Sequence, residues 1–65
     1  MNELAYLIQL THPTAIDDAR ADIEAYPENL DEAAESVLYS LSFDDTFNGY
    51  SEAELMAAIN ETLTA

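Results

Sequence analysis

Residues 29–43, NLDEAAESVLYSLSF, admit two periods, and the choice between them decides the fold. Leu30, Ala33, Ala34, Val37, Leu38 and Leu41 recur at helical spacing, behind Asn29 as N-cap, with Asp31 and Glu32 in the first turn. Val37, Tyr39, Leu41 and Phe43 also alternate as a strand would, and Leu4, Tyr6, Ile8 and Leu10 do the same near the N-terminus. Periodicity alone does not separate the two. The helical reading gives an all-α compact bundle of about four short helices, and the alternative is a small α+β fold with strands near 4–10 and 37–43.

The remaining segments are read outward from this central helix. Residues 2–10 place Leu4, Leu7 and Ile8 on one face, and Thr11, His12 and Pro13 end the segment. Thr14 with Asp17 three residues later predicts a variant capping box for a second helix. Ile16, Ala19, Ile23 and Tyr26 form its buried stripe, and Pro27 stops it. A fourth helix over residues 52–63 buries Leu55, Met56, Ile59 and Leu63. The whole, 1–65, reads as one acidic domain and, opening on Met1, as an entire gene product.

Between the third and fourth helices, residues 44–55, DDTFNGYSEAEL, resemble a calcium loop. With Gly49 at loop position 6, Asp44, Thr46 and Asn48 take the early ligand positions, but position 12 falls on Leu55. Glu54 is one residue short of the bidentate position, so no metal is assigned. Ser51 and Glu54 read instead as a capping box. Asn48-Gly49 reads as a turn using positive φ, with Phe43, Phe47 or Tyr50 folded inward as an anchor.

Fourteen Asp and Glu stand against Arg20 alone, with no Lys, for a formal net charge of -13. Self-repulsion on this scale opposes compaction, yet 49% of the residues are hydrophobic and periodic, so the chain is expected to fold. Domains of this size bury only about 60% of the surface their unfolded chains expose, which makes a homodimer one way to add buried area. Nucleic acid and anionic membranes are excluded as direct partners, because both are negative. The absence of Cys removes disulfides, thiolate zinc sites and thiol nucleophiles. Without a basic leader or an apolar span of roughly 18 to 20 residues, the chain is expected in a cytoplasm.

Catalytic chemistry finds little to work with. His12, the one imidazole, is read as capping carbonyls or facing water, so no triad is assigned. The adjacent pairs Asp17-Asp18 and Asp44-Asp45 point apart on a helix and read as solvated faces. Arg20 is read as an i,i+4 partner of Glu24. Asn60-Glu61-Thr62 fits a glycosylation pattern by chance within a helix. Ser40-Leu41 is similar to the Ser-Leu pair that carries the prosthetic arm of acyl carrier proteins. Here Tyr39 precedes it instead of Asp, and it falls late in a helix rather than at its start.

The carboxylates themselves fall in rows. Asp18 with Asp22, and Asp31 with Glu35, are helix neighbours at i,i+4, with Cβ atoms about 5 to 6 Å apart. Asp17 and Glu24 line another side of the second helix, and Glu28, Asp31 and Glu32 cluster where the third begins. Duplex DNA presents phosphates roughly every 3.4 Å per strand, so rigid rows of carboxylates offer a comparable density of charge.

In size, lack of cations and helical carboxylate rows, the chain resembles the small acidic phage-encoded DNA-mimic inhibitors, which include anti-CRISPR and anti-restriction proteins. The resemblance is compositional and spans the chain. It implies a non-catalytic inhibitor without cofactors that occupies the basic DNA-binding groove of a CRISPR complex, restriction enzyme or nucleoid protein in the host cytoplasm. It also implies that Asp17, Asp18, Asp22, Glu24, Glu28, Asp31, Glu32 and Glu35 make the partner contacts. Tyr6, Tyr39 and Tyr50, where exposed, would add anchoring contacts. Two other readings stand beside it: an acidic adaptor or carrier-like module docking a basic partner, and an ordinary domain whose surface is adapted to high salt.

Overall fold

The chain forms four α-helices in a computed structural model that describes residues 2–65: α1 (Glu3–Thr11), α2 (Pro13–Ala25), α3 (Leu30–Leu41) and α4 (Glu52–Thr64). Short 3-10 turns, Pro27–Asn29 and Asp45–Phe47, lead into α3 and follow it. Among the described residues there is no strand, so the helical period prevails over both alternating readings. The reason is visible in α3, where Ala33, Ala34, Val37 and Leu41 bury one stripe while Tyr39 and Phe43 lie outside it. A strand at 37–43 would have placed those two rings on the same face as Val37 and Leu41.

Each helix start is built differently. Asn2 caps α1, its Oδ1 accepting the Ala5 N–H at 2.7 Å. Pro13 opens α2 at its first position, where the missing N–H costs nothing and the fixed φ suits the helix. Thr14 is therefore inside the helix, and its expected capping box with Asp17 does not form. His12 is both the last cap of α1 and the first of α2, a one-residue corner. Asn29 stands at the cap position of α3 but its side chain makes no capping bond. Asp31 and Glu32 in the first turn instead complement the helix dipole.

The start of α4 matches its sequence signature. Ser51 Oγ accepts the Glu54 N–H at 3.1 Å, and Glu54 Oε1 accepts the Ser51 N–H at 3.0 Å. The Asn48-Gly49 turn differs from expectation, because no residue, glycine included, has positive φ among those described. The Tyr50 N–H reaches the Phe47 carbonyl at 3.2 Å through an Asn48 in the right-handed helical region.

Helix α4 packs against α1 and α3 and touches α2, while α3 packs on α2. The Cα radius of gyration is 10.7 Å, the value of about 11 Å that compact chains of this length reach. Ile8, Ile16, Val37, Leu41, Phe47, Leu55, Ile59 and Leu63 fill the centre, and Ala5, Ala19, Ala33, Ala34 and Ala58 let the helices approach closely. Thr62, fully buried, satisfies its hydroxyl by donating to the Ala58 carbonyl at 2.9 Å. Of the expected core residues, Tyr26 is the clear exception. It is 57% exposed because α2 ends before it and its backbone has left the helical region.

No helix among the described residues is long and apolar enough to cross a membrane. Truncating the fully buried Ile59 to Ala should cost about 2 to 5 kcal/mol, whereas Tyr26→Ala should stay within about 0.5 kcal/mol of the parent. Urea unfolding followed by circular dichroism measures both.

Candidate interaction surface

Twelve of the fourteen carboxylates, all but Glu3 and Glu52, divide into two groups by what they touch. Asp44, Asp45, Glu54 and Glu61 hold loops and ends together. Asp44 Oδ1 accepts the Thr46 N–H at 2.9 Å, and its Oδ2 lies 2.8 Å from His12 Nε2. With the carboxylate ionised, that ring nitrogen must carry the donated proton. Asp45 accepts from the Asn48 side-chain amide at 3.3 Å, and Glu61 from the Asn2 N–H and side-chain amide at 3.1 and 2.9 Å.

His12 thus neither caps a carbonyl with its ring nor stands free in water. It joins the α1–α2 corner to the α3–α4 loop, with its ring 5.8 Å from that of buried Phe47. Of the three aromatics considered as loop anchors, Phe47 takes that place, while Phe43 is 73% exposed. The Thr46 N–H, then the bond with His12, hold the Asp44 carboxyl below its usual range. The Ser51 N–H does the same for Glu54. Both oxygens of Asp44 and the carboxylate of Glu54 therefore have structural employment in the stretch that resembled a calcium loop. No three His, Cys, Asp or Glu side chains group as a metal site among the described residues.

The eight carboxylates singled out from the sequence form the second group. Asp17, Asp18, Asp22 and Glu24 lie on α2, Glu28 in the connecting turn, and Asp31, Glu32 and Glu35 on α3. All are exposed except the half-buried Asp22. None has a hydrogen bond or ion pair within the described residues. Arg20, the expected partner of Glu24, turns away from it. Its guanidinium donates to the Thr62 carbonyl at 2.9 Å, in the last turn of α4, where a cation complements the helix dipole.

The α2–turn–α3 hairpin therefore presents its carboxylates without a counter-cation among the described residues. Asp18 and Asp22 border a groove of about 230 Å³ between the two helices, with Ser36 and Ser40 across from them. Asp31 and Glu35 border a different groove, beside Met56 and Asn60 of α4. The two rows are each intact but face different sides of α3. Ser40, considered for its likeness to a carrier serine, sits in the last turn of α3 and donates to the Ser36 carbonyl at 3.3 Å.

Two surface features were not read from the sequence. Phe43 lies just past the end of α3, and the sequence reading offers it as an inward anchor, whereas it is exposed. Glu52, at the start of α4, borders a groove shared with Tyr39, Phe47 and Tyr50, and only the folded loop brings it there.

Compared with family models, curated proteins and solved structures, the chain matches none.

Placing Asp22 and Glu24 near the negative end of α2, without partners, opposes the dipole rather than using it. Repulsion across the hairpin should be eased by screening, so added salt should raise the melting temperature. A separate test uses pH. Because folding lowers the Asp44 and Glu54 pKa values, their stabilisation is present above about pH 4. It is lost as pH falls through the depressed folded values. Asp44→Asn should be less stable than the parent at neutral pH, and the difference should shrink on acidification, as read by thermal melts at a series of pH values.

Proposed function

We propose that this protein is a DNA-mimic inhibitor of the anti-CRISPR or anti-restriction kind. It binds the basic DNA-binding groove of a bacterial defence complex in the host cytoplasm and blocks target DNA. The observation that carries this reading is the acidic hairpin, whose carboxylates have no partner among the described residues. Eight carboxylates stand on two rigid helices and their turn, and the one nearby arginine is committed elsewhere.

Folding does not explain that arrangement. Beyond Asp31 and Glu32, which complement the α3 dipole, the carboxylates that serve the fold are the four at loops and caps, and the hairpin carboxylates otherwise repel one another. A groove lined by Lys and Arg would relieve the repulsion, and arginine forks matched to carboxylates would give the contact its geometry. Such binding is stoichiometric and needs no catalysis, cofactor or metal. It acts by occupying the groove.

The experiment is competition for labelled duplex DNA on a panel of CRISPR surveillance complexes, restriction enzymes and nucleoid proteins at two salt concentrations. Displacement from one member, weakening with salt, is the expected result. Asp18→Lys with Asp22→Lys should slow association about tenfold or more while circular dichroism stays unchanged. The same reversal at Asp31 and Glu35 tells which side of α3 engages. A folded protein that displaces DNA from no member overturns the reading.

A further inference from the structure

The acidic row Asp31, Glu35 on α3 is continued at the same four-residue spacing by Tyr39, which is 68% exposed. Phe43 sets the edge of its ring against Tyr39, with centroids 5.0 Å apart and planes at 87°. Two large rings side by side in water forgo the burial that normally favours them. Beside Tyr39 opens a groove of about 590 Å³ between the end of α3 and the start of α4. Leu38, Phe47 and Leu55 line its apolar part, and Tyr50 borders it. Glu35 and Glu52 border it too, and neither has a partner among the described residues.

We propose that this groove docks a protein segment in which an apolar side chain is flanked by arginines. The apolar side chain enters among Leu38, Phe47 and Leu55. A guanidinium lies on the Tyr39 ring and pairs with Glu35 or Glu52. Arginine suits this better than lysine, because its planar, weakly hydrated cation both stacks on a ring and forks to a carboxylate. A second copy of this chain is a poor occupant: it carries the same net charge of -13, and its one arginine is held on the Thr62 carbonyl.

The proposal rests on the reading of a basic partner but assigns it a contact separate from the α2 carboxylates. The test is a titration of isotope-labelled protein, followed by amide chemical shifts, with capped Arg-Leu-Arg, Lys-Leu-Lys and Glu-Leu-Glu peptides. The expected result is shifts gathered at Leu38, Tyr39, Tyr50 and Glu52. Arg-Leu-Arg should bind more tightly than Lys-Leu-Lys, and Glu-Leu-Glu should not bind.

Tyr39→Ala, on an exposed position that leaves the core intact, should weaken Arg-Leu-Arg by about two- to fivefold. Glu52→Gln, which spares the Ser51–Glu54 cap, should weaken it as well. Affinity unchanged in both variants, shifts centred on Asp18 and Asp22, or self-association abolished by Tyr39→Ala would each overturn the proposal. In the DNA competition, loss of displacement only on reversing Asp18 and Asp22, with Tyr39→Ala inert in both assays, removes the groove and leaves the mimicry. Peptide docking without any DNA displacement does the opposite.

Discussion

A chain with one arginine and no lysine cannot tie its helices together by ion pairs, and the architecture follows from that shortage. The acidic joints described above draw on backbone N–H groups, two asparagine amides and an imidazole. Asn2 reaches Glu61 across 59 positions, and His12 reaches Asp44 across 32. Arg20 is not used to neutralise a carboxylate at all. It closes the end of α4, where otherwise unpaired carbonyls gather. Such joints serve the loops and ends, and leave the broad outer faces of α2 and α3 without compensation.

The interior is adapted to the same constraint. Alanines at helix crossings bring backbones close, so a short chain gains many dispersion contacts without large side chains. Phe47 is the one aromatic in the buried core, and the remaining rings lie outward. Acid faces and aromatic rings thus share the surface, a combination suited to contacts with a cationic protein.

How much of this could be read beforehand depended on range. The stripe of α3 and the cap of α4 are local, since Leu30 to Leu41 and Ser51 to Glu54 carry their own period and spacing. The start of α2 departs from the Thr14–Asp17 pattern because Pro13, a position earlier than Thr14, already satisfies the first turn. Tyr26 continued the stripe in sequence, but the chain turns at that point. The roles of His12 and Arg20 were not legible, because their partners lie 32 and 42 residues away. For the carboxylates, the rows followed from i,i+4 spacing, whereas their separation onto different sides of α3 required the packing of α2 and α4. Their lack of partners among the described residues follows from the bond of Arg20 to the Thr62 carbonyl, which sequence spacing does not reveal.

The placement of Arg20 also sets how the protein meets a protease. Trypsin cuts after Lys and Arg, and this chain offers it one such bond, following Arg20 in the middle of α2. That side chain is half-buried and bound to the end of α4, while the backbone around it is helical. Cleavage therefore requires α2 to unwind and release α4. Within these residues the cut falls once, between Arg20 and Ala21, and its rate reports the opening of the bundle rather than fraying at its ends.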